Sequence, residues 1–197
     1  MVTKTRDKLI EVARQLFAHK GIENTTMNDI ATASDKGRRT IYTYFKNKRE
    51  IYNAVIERES EHLVSRLKEV VTSPLPPVEK LRCYLATRFE IVNDTVQGRD
   101  NGGAFRSFFS RDFRRIERIR RLAVGKEQEM FATVINEGVS QGVFDPRQAR
   151  CATSVETMIF QGVDYSHLRD NFDEIGMSRT EMRDNVIEFI IQGILKK

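Results

Sequence analysis

Three features of this 197-residue chain predict an all-α fold. Apolar residues recur at three- and four-residue spacing between sparse glycines and prolines, which is the helical period. No stretch shows the alternation of a half-buried strand. Helix-start chemistry recurs as well: "TMND" at 26–29, "NKRE" at 47–50 and "SRTE" at 178–181 each set a Thr, Asn or Ser three residues ahead of an acid.

Taken in order, Val12, Ala13, Leu16 and Phe17 stripe a first helix over about 5–19, ended by Gly21. Thr26 caps a short second helix carrying Ile30 and Ala31, and "DKG" at 35–37 breaks it. A third helix covers about 38–45. A long fourth begins after Asn47 and runs to "SPLPP" at 73–77. Pro77 opens the fifth, to about Gln97. Two more are expected over about 104–122 and 124–141, the latter stopped by Gly142. Asp145-Pro146 starts the next, to about Asp170, and Ser178 caps the last, to about Leu195. The expectation is about nine helices and no sheet.

Charge divides the chain. Residues 1–49 hold 11 Lys/Arg against 5 Asp/Glu, while the remaining 148 hold 22 against 23. A basic excess confined to the first quarter suggests an anionic partner there, most simply nucleic acid. Apolar runs are too short for a membrane helix, and the N-terminus lacks the apolar block of a secretory signal. With Cys83 and Cys151 far apart and expected as reduced buried thiols, the sequence reads as a cytoplasmic protein without a membrane partner. His19, His62 and His167 are isolated, and neither a Gly-x-Ser-x-Gly elbow nor a phosphate loop after a strand is present. No catalytic residue, metal site or cofactor is expected.

The pair of helices at 27–34 and 38–45, joined by a short turn, has helix-turn-helix dimensions, in which the second helix enters the major groove. Ile41 and Phe45, four apart, belong inside. That turns Arg38, Arg39, Thr40, Thr43 and Tyr44 outward, with Tyr42 at the edge. Arginine pairs bidentately with guanine, tyrosine hydroxyls suit phosphate oxygens, and a threonine methyl packs on thymine. Thr26 and Asn28 near one helix N-terminus, with Lys46, Lys48 and Arg49 near the next, extend the basic face.

"TTMNDIATAS" followed by "GRRTIYTYFKNKREIYNAVI" resembles the DNA-binding domain of the TetR family of transcriptional regulators, over about residues 5–56. The resemblance implies a DNA-binding domain at 1–49 and a helical ligand-binding and dimerisation domain at 50–197. It also implies a homodimer on a palindromic double-stranded operator, and phosphate contacts from Thr26 and Lys48. Many members carry Lys-Gly where this chain has Arg38-Arg39, so Arg39 stands as either a base reader or a phosphate contact.

The same resemblance places an effector pocket among the central helices. Phe89, Phe105, Phe108, Phe109, Met130, Met158 and Tyr165 are its candidate lining, suited to a small apolar or aromatic effector. Arg88 is a further polar candidate. Val155, Ile159, Gly162, Val186, Phe189 and Ile190 stripe the last two helices as the candidate dimer face. "RDFRRIERIRR" at 111–121 reads as a solvated amphipathic face, with attraction of an anionic effector as the alternative. The sequence therefore predicts a repressor released by a small effector; a regulator without an effector and a helical ligand-binding protein are the alternatives.

Overall fold

Local capping chemistry fixes where the helices begin. In the computed structural model, which describes residues 2–97, 113–169, 171–172, 174 and 176–197, the Thr26 hydroxyl accepts the Asp29 N–H at 3.1 Å. The Asp29 carboxylate in turn accepts the Thr26 N–H at 2.8 Å. The Ser178–Glu181 pair repeats this reciprocal box. Asn47 takes the Glu50 N–H at 3.0 Å, but Glu50 reaches back one residue further, to the Lys46 N–H at 2.8 Å. Asp145 takes the N–H groups of Arg147 and Gln148.

The described residues contain eight helices and no strand: α1 (Val2–Lys20), α2 (Met27–Ala33), α3 (Arg38–Tyr44), α4 (Lys48–Val71), α5 (Pro77–Gln97), α6 (Phe113–Ser140), α7 (Pro146–Arg169) and α8 (Arg179–Ile194). A lone antiparallel bridge joins Phe144 to Leu195. The helix expected over 104–122 begins outside the described residues, and the break expected near residue 123 is absent. Residues 113–140 form one helix that runs through Gly125. A glycine inside a helix costs about 1 kcal/mol relative to alanine, too little to interrupt a long run of good helix formers.

Two compact units result. The first holds residues 2–60 with the described part of 94–120. Leu9, Ile10, Ala13 and Phe17 of α1 are buried there with Ile30, Ala31, Ile41, Phe45, Ile51 and Val55. The rings of Phe17 and Tyr52 meet edge-on at 6.2 Å. At seven residues each, α2 and α3 are too short to persist alone. Burial of side chains such as Ile41 and Phe45, at roughly 1.5–3 kcal/mol apiece, holds α3 in place.

The break expected at "DKG" is present, with α2 ending at Ala33. The left-handed residue is Asp35, at φ 54°, not Gly37, whose φ is −66°. Lys36 N–H bonds Ala31 C=O at 2.9 Å and Asp35 N–H bonds Thr32 C=O at 3.1 Å, which is a Schellman closure with aspartate in glycine's usual place. Aspartate enters this region more readily than most side chains.

The second unit holds residues 61–93 and 121–197. Leu81, Tyr84, Leu85, Phe89, Phe131, Val134, Ile135 and Phe160 form its interior with Ile187, Ile191 and Ile194 of α8. Phe144 packs against Gly138 so closely that a Cβ there would lie 2.1 Å from its ring. Both cysteines are free, but Cys151 is exposed rather than buried and Cys83 is half-buried.

Candidate nucleic-acid interface

The first unit presents one polar, cationic surface on α3. With Ile41 and Phe45 buried, Arg38, Arg39, Tyr42 and Thr43 are exposed, while Thr40 and Tyr44 are half-buried flanks. Tyr42 was expected at the edge; at 44% exposure it stands among the outward residues. The Arg38 guanidinium lies 5.9 Å from the Tyr42 ring, so one flank pairs a cation with a phenol. Arg39 has no side-chain partner among the described residues. The Thr43 hydroxyl donates to the Arg39 carbonyl at 3.1 Å, which commits its proton and leaves the methyl as the free part of that side chain.

Around α3 lie the anion-suited groups. Thr26 and Asn28 are exposed at the start of α2. The Thr26 oxygen accepts the Asp29 N–H within the capping box, and its hydroxyl also bonds the Asp29 carboxylate. Asp29 completes the box and also takes the Lys20 ammonium at 2.9 Å. The Thr26 backbone bond, then the Lys20 contact, hold the Asp29 carboxyl down to about 2. The box therefore stays intact at neutral and mildly acidic pH. Its contribution is lost only as pH falls from the ordinary carboxylate range through about 2.

Lys46 is exposed. Lys48 is half-buried, and its ammonium donates to the backbone carbonyls of Ile22 at 2.6 Å and Glu23 at 3.2 Å. Two of its three donors thus tie α4 to the turn before α2, a role that no local sequence signal announces. Neither of these two contacts uses the third donor, which stays available.

The second unit sorts the other candidates. Phe89 is buried, meeting Phe160 edge-on at 5.8 Å, and Phe160 meets Phe131 at the same distance. Met130 is half-buried. Met158 and Tyr165 do not join this interior: they are 74% and 43% exposed, because they lie on the outward side of α7 from Phe160 and Val163. Phe105, Phe108 and Phe109 lie outside the described residues, as do Arg111 and Asp112 of the arginine-rich run at 111–121. Of the candidate dimer face, Ile190 is buried within its own unit, while Val155, Ile159 and Val186 are half-buried. Gly162 and Phe189 are exposed, Phe189 by 75%.

Arg88 is not a free ligand contact. It is 2% exposed and donates both terminal nitrogens to Asp164 at 2.8 Å and its Nε to Glu127 at 3.1 Å. Its guanidinium carbon lies 4.1 Å from the Phe160 centroid. Burial alone would lower its pKa; the two carboxylates outweigh that and hold it above the ordinary arginine value.

Among the described residues no cluster of His, Cys, Asp or Glu has metal-binding geometry, and no helix is long and apolar enough to cross a membrane. A helical chain whose first unit sets an arginine- and tyrosine-bearing helix outward after a capped companion helix is a helix-turn-helix DNA-binding protein. Comparison with known proteins specifies which kind. Residues 9–55 match the model for bacterial regulatory proteins of the tetR family. The chain is 26% identical over 149 residues to the transcriptional repressor KstR2 of Mycobacterium tuberculosis, covering 74% of this chain and 72% of that one. It is 40% identical over 96 residues to a probable acrEF/envCD operon repressor of Escherichia coli K12, covering 45% and 41%. Its fold matches a TetR/AcrR-family regulator from Thermobifida fusca with TM-score 0.73 at 22% identity, over 95% of this chain and 97% of the other. Residues 9–55 thus match the DNA-binding region of the TetR family, and the relatives that the chain resembles are DNA-binding transcriptional regulators, not enzymes.

Proposed function

We propose that the chain is a homodimeric repressor whose residues 1–49 bind a palindromic operator and whose residues 50–197 dimerise and bind a small apolar or aromatic effector that releases the DNA. The observation that carries the DNA half is the outward set Arg38, Arg39, Tyr42 and Thr43 on the helix whose other side is anchored by Ile41 and Phe45. Repression is supported by relatives that are named repressors. The apolar effector is supported by the Phe89, Phe131 and Phe160 cluster, and by a structural neighbour, KstR2, described as a ketosteroid transcriptional regulator.

The dimer rests on an apolar face of the second unit. Met158 on α7 and Phe189 on α8 are large side chains left in water, beside half-buried Val155, Ile159 and Val186. Large apolar side chains left in water are the kind of surface that an interface covers. Phe189→Ser is expected to weaken self-association about tenfold or more in sedimentation experiments and to lower operator affinity with it. Because Phe189 packs on little within its own unit, the protomer's helical content should not change.

A footprint on the duplex upstream of the chain's own coding region tests the whole reading. A two-fold-symmetric protected site supports it, and absence of protection on any duplex sinks it. The effector half is tested by linkage: a ligand that weakens DNA binding by some factor must itself bind that much more weakly when DNA is present.

A further inference from the structure

Arg6, in the second turn of α1, is exposed, and its guanidinium carbon lies 5.5 Å from the centroid of the Phe45 ring. Phe45 is the residue that ends the recognition helix: its N–H closes on Ile41 C=O at 3.0 Å and its backbone turns extended. The Arg6 side chain is therefore held at the far end of α3 from Arg38.

Three other cations of α1 are paired with acids. Arg14 meets Glu11 at 2.7 Å and Glu59 at 3.7 Å, Lys20 meets Asp29 at 2.9 Å, and Lys8 meets Asp35 at 3.5 Å. Arg6 has no acidic partner among the described residues. A guanidinium seated on a ring uses its face and keeps its in-plane N–H donors. Arg6 thus combines a fixed position, full charge and free donors.

The placement matters because of length. The seven residues of α3 span about 10 Å, against a major groove about 12 Å wide. A cation at the Phe45 end lies within side-chain reach of a sugar-phosphate wall. Lys46, exposed at the same end, adds to the positive potential there.

We propose that Arg6 is a phosphate contact, positioned by Phe45, that braces the end of the recognition helix on the duplex. The proposal rests on the DNA-binding reading and adds a residue from α1 to an interface otherwise built from α2, α3 and the start of α4. A phosphate contact carries no sequence information, so it supports operator and random DNA alike.

The test compares the wild-type chain, Arg6→Gln and Arg6→Lys by measuring binding to the upstream duplex and to a mixed-sequence duplex across a salt series. For Arg6→Gln, the slope of log affinity on log salt should become shallower by about 0.9 per protomer bound, equally on both duplexes. The ratio between the two duplexes should not change. Arg6→Lys should keep the wild-type slope. An unchanged slope in Arg6→Gln, while the wild type binds with a steep one, overturns the proposal and leaves the DNA reading standing. A changed duplex ratio with an unchanged slope also overturns it, since Arg6 would then act by orienting α3. A wild-type chain that binds neither duplex removes both.

Discussion

Arg88→Met is expected to destabilise the chain by about 3–5 kcal/mol at neutral pH, which is a large share of the total stability of an ordinary domain. The reason is what remains after the substitution. Methionine fills most of the volume and keeps contact with Phe160. Asp164 and Glu127, however, are buried carboxylates that both lose the guanidinium they are bonded to. Glu156 adds a third buried carboxyl nearby, and burial, its first cause, already raises its pKa.

The sign with pH follows. A carboxyl whose folded pKa is raised stabilises the fold below its unfolded pKa, and that contribution is lost as pH rises through the folded value. Glu156 is in this class, and the Arg88 charge lowers its pKa, so losing Arg88 pushes that carboxyl further up. The deficit of Arg88→Met should therefore shrink as pH is lowered from 7 toward 5. Denaturant midpoints for wild type and variant at the two pH values measure it. The triple substitution Arg88→Met, Asp164→Asn, Glu127→Gln should recover much of the loss, because neutral amides need no counter-ion. Additive losses in the triple variant would show that the three side chains do not form one network.

Legibility follows the range of the interactions. The capping boxes at Thr26 and Ser178 are readable because donor and acceptor lie three residues apart and the backbone supplies the geometry. The division of α3 is readable because Ile41 and Phe45 share a face by helical period alone. The Arg88 network is not readable: its members are 39 and 76 residues away, on different helices. Nothing near Arg88 distinguishes a buried ion pair from a ligand contact. Met158 misleads for a related reason, since an amphipathic period locates a face without saying whether that face turns toward the interior or toward a second surface. The left-handed residue at Asp35 was hidden by a glycine two positions on, which propensity favours and the turn does not use. Lys48 was readable as a cation at a helix start, but its carbonyl partners at Ile22 and Glu23 depend on the docking of α4 against the turn after α1.

The second large effect is expected at Arg39. Arg38 is drawn to one flank of α3 by Tyr42, and Thr43 commits its hydroxyl to the helix backbone. Arg39 is an exposed cation of α3 with no side-chain partner among the described residues, one turn before the Thr43 methyl. Its fork suits the paired acceptors of guanine, a contact that discriminates by about 1–3 kcal/mol in each half-site. Arg39→Ala should lower operator affinity by about that amount per half-site and relax the preference at a single base pair of each. A panel of duplexes with one substituted base pair apiece reads this directly. Removing a base contact flattens one position of the panel, whereas removing a phosphate contact lowers every duplex equally and makes the salt slope shallower by about 0.9 per protomer. Uniform loss with a shallower slope would assign Arg39 to the backbone, and sequence discrimination would then rest on Thr43, Tyr42 and the deformability of the operator itself.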